Sequence, residues 1–93
     1  MTKYAKKTDN NQQEIMDALR AAGYYTLDMS RVGQGFPDLL CVNKAGQVVL
    51  LEVKTPGGRL TEAEQRFHAE YKGALYVVRS AEMALEYLGQ RWE

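Results

Sequence analysis

Apolar positions along the chain switch between two periods, and the switches divide it into seven elements. Ile15, Ala18, Leu19 and Ala22 recur at helical spacing. They predict a helix from about Asn10 to Ala22, capped by Thr8 or Asp9 and closed by Gly23. Tyr24 to Met29 is mixed in polarity and predicts a strand at or near a sheet edge. Two β-rich apolar runs follow, Leu39-Leu40-Cys41-Val42 and Val48-Val49-Leu50-Leu51. Between them Lys44-Ala45-Gly46 fits a hairpin loop, with Gly46 at the left-handed position such loops need. That register pairs Val42 with Val48 and Asn43 with Gln47. Carried outward, it sets Asp38 opposite Glu52. Both faces of this hairpin are apolar, so helices are expected on each side of the sheet.

Pro56-Gly57-Gly58 then breaks the pattern. Thr61 and Glu64 have the spacing of a capping box, opening a second helix with a stripe of Ala63, Phe67 and Tyr71 and an end at Gly73. Ala74 to Val78 is a fully apolar strand, and Ser80 caps a last helix from Ala81 to Leu88. Ser30 to Phe36 is a glycine-punctuated loop leading to Pro37, which can start a strand but not sit inside one. The order is α-β-β-β-α-β-α, an α/β chain. No repeat, low-complexity tract or linker interrupts it, and 93 residues make one small domain, 1–93.

This reading brings candidate chemistry to one place. Glu52 and Lys54 share a strand face while Val53 points the other way. Two carboxylates, Asp38 and Glu52, and one ammonium therefore meet at one end of the sheet. Adjacent carboxylates repel unless one is protonated or a cation lies between them. Hard oxygen ligands with room for water suit Mg²⁺ or Mn²⁺. A surface salt bridge is the plainer account of such a trio. Its position, ending two apolar strands after a glycine-rich loop, favours a site.

Pro37-Asp38 and Glu52-Val53-Lys54 resemble the PD-(D/E)XK nuclease motif. With Ser30-Arg31-Val32-Gly33-Gln34-Gly35-Phe36 before it and Gly58-Arg59-Leu60-Thr61 and Gln65-Arg66-Phe67 after it, the stretch resembles a stand-alone virus-type replication-repair nuclease (VRR-NUC) domain. Archaeal Holliday-junction resolvases share a similar pattern. The resemblance spans roughly Asn10 to Arg79 and implies a restriction-endonuclease-like core with a mixed sheet flanked by helices. It further implies a metal-dependent endonuclease of branched or structured DNA that acts in DNA repair, is bacterial or phage-encoded, and works as a homodimer. It assigns catalysis to Asp38, Glu52 and Lys54, and metal binding to Asp38, Glu52 and the Val53 carbonyl. Glu14, on its own an ordinary helix glutamate, becomes an outer acid. The family's helix glutamine falls on Gln65. A helical wheel turns Gln65 away from the apolar stripe, however, and an alignment one residue earlier falls on Glu64. A DNA-binding or assembly module without turnover would be expected to lack one acid or the lysine, and none is missing. A structural protein with decorative surface acids is the third reading.

Charge modifies this picture. Net charge is zero, with 12 basic and 12 acidic side chains, so attraction to DNA must come from local asymmetry. Lys3, Lys6 and Lys7 form a basic N-terminal arm over residues 1–8, and Arg31 and Arg59 sit in the loops nearest the trio. Lys6, Lys7, Ser30, Arg31 and Arg59 are the expected DNA contacts. A lone histidine, His68, with one cysteine, Cys41, gives no zinc ligand set, and His68 reads as a surface helix residue. Cys41 reads as a small buried hydrophobe in a reducing cytoplasm. No nucleotide-binding glycine loop and no membrane-length apolar run is present. Met29, Phe36, Tyr87 and Trp92 fall outside the core stripes and are the expected dimer contacts.

Overall fold

The computed structural model describes residues 6–89, with side chains from residue 11 onward. Its elements are α1 (Lys6–Ala21), β1 (Tyr25–Asp28), β2 (Leu39–Val42), β3 (Val48–Val53), α2 (Glu62–Glu70), β4 (Ala74–Val78) and α3 (Ala81–Leu88). The four strands form one sheet in the order β1-β2-β3-β4. β1, β2 and β3 are antiparallel neighbours, and β4 lies parallel to β3. A parallel pair needs a crossover, and α2 supplies it. This is a mixed sheet with flanking helices, and β1 is an edge strand as its mixed polarity suggests.

The β2–β3 hairpin has the expected register, with Val42 paired to Val48 and Leu39 to Leu51. Asn43 fixes the loop: its Oδ1 accepts the amides of Ala45 and Gln47, each at 2.9 Å. Gly46 takes φ 84°, the conformation a side chain would resist. α1 ends as Gly23 predicts. At φ 93° Gly23 donates to the Arg20 carbonyl while Tyr24 donates to that of Leu19, so two otherwise orphaned carbonyls are satisfied.

Two helix expectations need correction. α1 begins at Lys6, so Thr8 and Asp9 lie within the helix and not at its start. No glycine or proline occurs before Gly23, and each residue added to a nucleated helix gains a hydrogen bond. Its buried face is Ile15, Met16 and Leu19, with Ala22 exposed. The arm upstream of Lys6 and the side chains of Lys6 and Lys7 lie outside the described residues, as does Trp92.

One sheet face carries the core. Leu39, Cys41, Val49 and Leu51 are fully buried there, against Ile15 and Leu19 of α1 and Ala84 and Leu88 of α3. A helix packs on the other face too, as the apolar hairpin predicts, but α2 covers it only in part. α2 buries none of its residues fully, and Val48 stays 46% exposed, Tyr25 59%. With nine residues, α2 is too short to cover that face, and it sits toward the end that carries Glu52 and Lys54. Among the described residues no helix is long and apolar enough to cross a membrane.

Candidate active site

Asp38 enters the site from just before β2 and is held from two sides. Its backbone carbonyl accepts Met29 N–H at 2.7 Å beyond β1, and its Oδ2 accepts Val53 N–H at 2.8 Å on β3. Both bonds follow from the strand register, which brings Asp38 alongside Glu52. Glu52 itself is 1% exposed, and its Oε1 is buried without a hydrogen-bond partner. Burial pushes its carboxyl up to about 9, reinforced by the hydrogen bond it shares with Asp38 and by the charges of Asp38 and Glu64. The Lys54 ammonium opposes this rise but does not cancel it.

Lys54 leaves β3 on the face of Glu52, yet its ammonium sits 3.8 Å from Glu52 Oε2 and 2.8 Å from Glu64 Oε1. Glu64 is aimed there by the helix cap. Thr61 Oγ1 accepts the Glu64 amide, and Glu64 Oε1 accepts the Thr61 amide, completing the capping box. Burial raises the Glu64 carboxyl, but the Lys54 ammonium and the Thr61 amide outweigh it and hold the group below its ordinary value. One turn later, His68 is half-buried with an unpartnered Nε2. Burial lowers its pKa, as does the charge of Lys54. The expected surface histidine thus belongs to the rim of the site.

From α1 it is Asn11 that reaches this region, donating from Nδ2 to the Lys54 carbonyl at 3.3 Å. Glu14 is exposed on the same helix. Gln65 is also exposed and donates to the Leu60 carbonyl at 3.2 Å, at the mouth of its own helix. The structure therefore brings Asp38, Glu52, Lys54, Glu64 and Asn11 together, and gives Glu14 and Gln65 no contact with that group. Asn11 had a sequence signal: it precedes Ile15 by four residues and shares the buried stripe of α1.

Two loops border the site. Ser30 donates both its amide and its hydroxyl to Asp28 Oδ1, at 2.9 and 2.6 Å, and these bonds hold Asp28 below its ordinary pKa. Gly33, Gln34 and Gly35 then occupy the left-handed region in succession, at φ 73°, 57° and 83°. A Cβ on Gly35 would collide with the Ala63 carbonyl, so this loop lies directly against α2. Phe36 packs edge-on against Phe67, with centroids 5.3 Å apart. On the other side, Arg79 Nη1 donates to the carbonyls of Thr55 and Gly58 at 2.7 and 2.9 Å. It staples the loop that carries the exposed Arg59. Arg79 had no local signal, because only the parallel β3–β4 pairing puts it there.

The fold agrees with comparisons to known proteins. The VRR-NUC domain model matches residues 2–82. The chain belongs to the VRR-NUC domain family. A solved structure described as a VRR_NUC domain shares 22% identity with it, covering 92% of this chain and 98% of that one, with a TM-score of 0.74. At that identity the likeness speaks for the fold. A comparison with curated proteins found no match. Membership of the VRR-NUC family supports a nuclease-type function in DNA repair, with DNA as the partner.

The donor set of this VRR-NUC domain bears on a metal. Among the described residues, no three His, Cys, Asp or Glu side chains are grouped to hold an ion. Two adjacent carboxylates remain, one with a buried, unpartnered oxygen. That suits Mg²⁺, which keeps most of its waters and takes only one or two carboxylates.

Proposed function

We propose that this VRR-NUC domain is a Mg²⁺- or Mn²⁺-dependent endodeoxyribonuclease of branched or structured DNA. The observation that carries the reading is Glu52: a carboxylate 1% exposed, beside Asp38, with one oxygen unpartnered. A buried acid in that state is costly unless a proton or a cation compensates it. Asp38, Glu52 and the Val53 carbonyl would hold the ion. When bound, it neutralises the phosphate and lowers the pKa of a coordinated water.

The chain's own groups do the rest. Asp38 is fixed by the Val53 amide, so one carboxylate oxygen keeps its place without the ion. Lys54 supplies a fixed positive charge where charge develops on the phosphate. Arg31 and Arg59, with Lys6 and Lys7, contribute phosphate contacts, and Ser30 braces the loop behind Arg31. Glu14 and Gln65 carry no step in this reading.

The purified chain should be incubated with linear, nicked, flapped and four-way DNA in Mg²⁺, in Ca²⁺ and in chelator. Cleavage should require Mg²⁺ or Mn²⁺, with Ca²⁺ supporting binding alone, because its larger and looser shell does not hold water and phosphate in line. Asp38→Asn, Glu52→Gln and Lys54→Ala should each lose at least ~100-fold in rate, as deletions of comparable electrostatic groups do. Near-parental cleavage by Asp38→Asn would sink the assignment.

A further inference from the structure

Lys54 has two carboxylates within reach, and the way it chooses between them has a consequence. Lys54 and Glu52 project from the same face of one strand two residues apart, so an ion pair between them is the default arrangement. Such a pair would place an ammonium on the carboxylate that must receive a metal ion. Instead Lys54 Nζ lies at hydrogen-bonding distance, 2.8 Å, from Glu64 Oε1 and a full ångström further, 3.8 Å, from Glu52 Oε2. Glu52 Oε1 is left buried and without a partner. The position of Glu64 does not depend on Lys54, because the capping box with Thr61 fixes the same Oε1 at 2.8 Å from the Thr61 amide.

We propose that Glu64 is a positioning residue that draws Lys54 off Glu52 and so keeps the Glu52 carboxylate open for the divalent ion. The inference rests on the metal-dependent reading above and deepens it. The partners of Glu64 Oε1 are the Thr61 amide and the Lys54 ammonium, so in this proposal Glu64 acts on the lysine and not on the ion. Removing Glu64 frees the lysine to fall back onto Glu52, where it competes with the metal. The larger part of the effect of Glu64 therefore runs through Lys54, and only the direct influence of its charge on Glu52 remains when Lys54 carries no charge.

A double-mutant cycle on Mn²⁺ affinity, read by calorimetry on the full chain without DNA, tests this. Glu64→Ala should weaken Mn²⁺ binding roughly tenfold, within the range found for residues in contact, while in a Lys54→Met background the same change should alter it less than about twofold. Glu64→Gln, which preserves the capping box, should fall between parent and Glu64→Ala, and it replaces the alanine variant if that one does not fold. An equal loss in both backgrounds would mean that Glu64 acts on the ion directly, and no loss in either would mean that Lys54 is not diverted; each result overturns the proposal. If the parent itself fails to bind Mn²⁺, the metal-dependent reading falls first, and this one with it.

Discussion

At the scale of single residues, the site is a set of groups whose ordinary preferences are overridden by where the backbone puts them. Glu52 is the extreme case. Its folded pKa lies above the ordinary 4.5, near 9, so the folded chain holds that proton more tightly than the unfolded chain does. The linkage sign follows: this contribution to stability is full below about pH 4.5 and is lost as pH rises toward about 9. Urea melts of the metal-free protein should therefore show a lower midpoint at pH 9 than at pH 6. Glu52→Gln should remove most of that difference, and saturating Mn²⁺ should offset it by binding only the folded state.

Gly35 is a second residue-scale test, because two separate penalties meet there. Alanine at φ 83° is strained, and its Cβ would strike the Ala63 carbonyl. Gly33, at φ 73°, has open space around it. Gly33→Ala should cost about 1–2 kcal/mol, the penalty of a left-handed residue alone. Gly35→Ala should cost clearly more in denaturant melts. It should also slow cleavage, since the loop it displaces leads straight into Asp38. Equal costs at the two positions would contradict the close approach of loop and helix.

At the scale of elements, α2 holds the site together more than it holds the fold. It contributes no fully buried residue, whereas its first turn carries Glu64 and the next turn carries the half-buried His68 toward Lys54. The capping box does two jobs, starting the helix and aiming a carboxylate. Thr61→Ala should cost about 1 kcal/mol, a typical N-cap loss. It should also lower Mn²⁺ affinity in the direction of Glu64→Ala, because the brace on the Glu64 carboxylate is weakened. A stability loss with unchanged Mn²⁺ affinity would separate the two jobs. The core is made elsewhere, by α1 and α3 on the other face of the sheet, and these should keep their amide protection in this variant.

At the scale of the molecule, zero net charge leaves DNA attraction to local asymmetry, which the proposed reading places in the loops around the site. Arg31→Ala and Arg59→Ala should each reduce the slope of log affinity against log salt by roughly one unit, with little change in sequence preference. An unchanged slope in both would put the DNA on another face. The apolar surface available for self-association also differs from the sequence expectation. Phe36 packs on Phe67, and Tyr87 stacks on Tyr76 at 4.1 Å, so both are engaged within the chain. Among the described residues the exposed large apolar ones are Tyr25, Leu27, Val32 and Val48. Tyr25 and Leu27 pair with Val42 and Leu40, and Val42 pairs with Val48, which puts three of the four on the sheet face that α2 leaves open. If the domain is a homodimer, as its size and the junction reading suggest, light scattering at micromolar concentration should give twice the chain mass, and Val48→Glu should lower it. A parent that scatters as a monomer would remove that reading.

Local signals in the sequence determined the hairpin register, the capping box of α2, the strand β4 and the helix α3, because turn glycines, caps and alternation act over a few residues. The Asp38–Glu52–Lys54 grouping came with them, since a register counted from Gly46 fixes which residues face each other across two strands. What lies beyond one strand pair was not legible. The sequence places Asn11 on the buried face of α1 but not at the site. Asn11, Arg79 and His68 meet the site through helix docking and a parallel crossover, contacts between segments far apart in sequence. The partner of Lys54 was decided the same way. Sequence spacing puts Glu52 beside it, and the packing of α2 brings Glu64 closer, because an ion pair forms at the shorter distance that the fold provides.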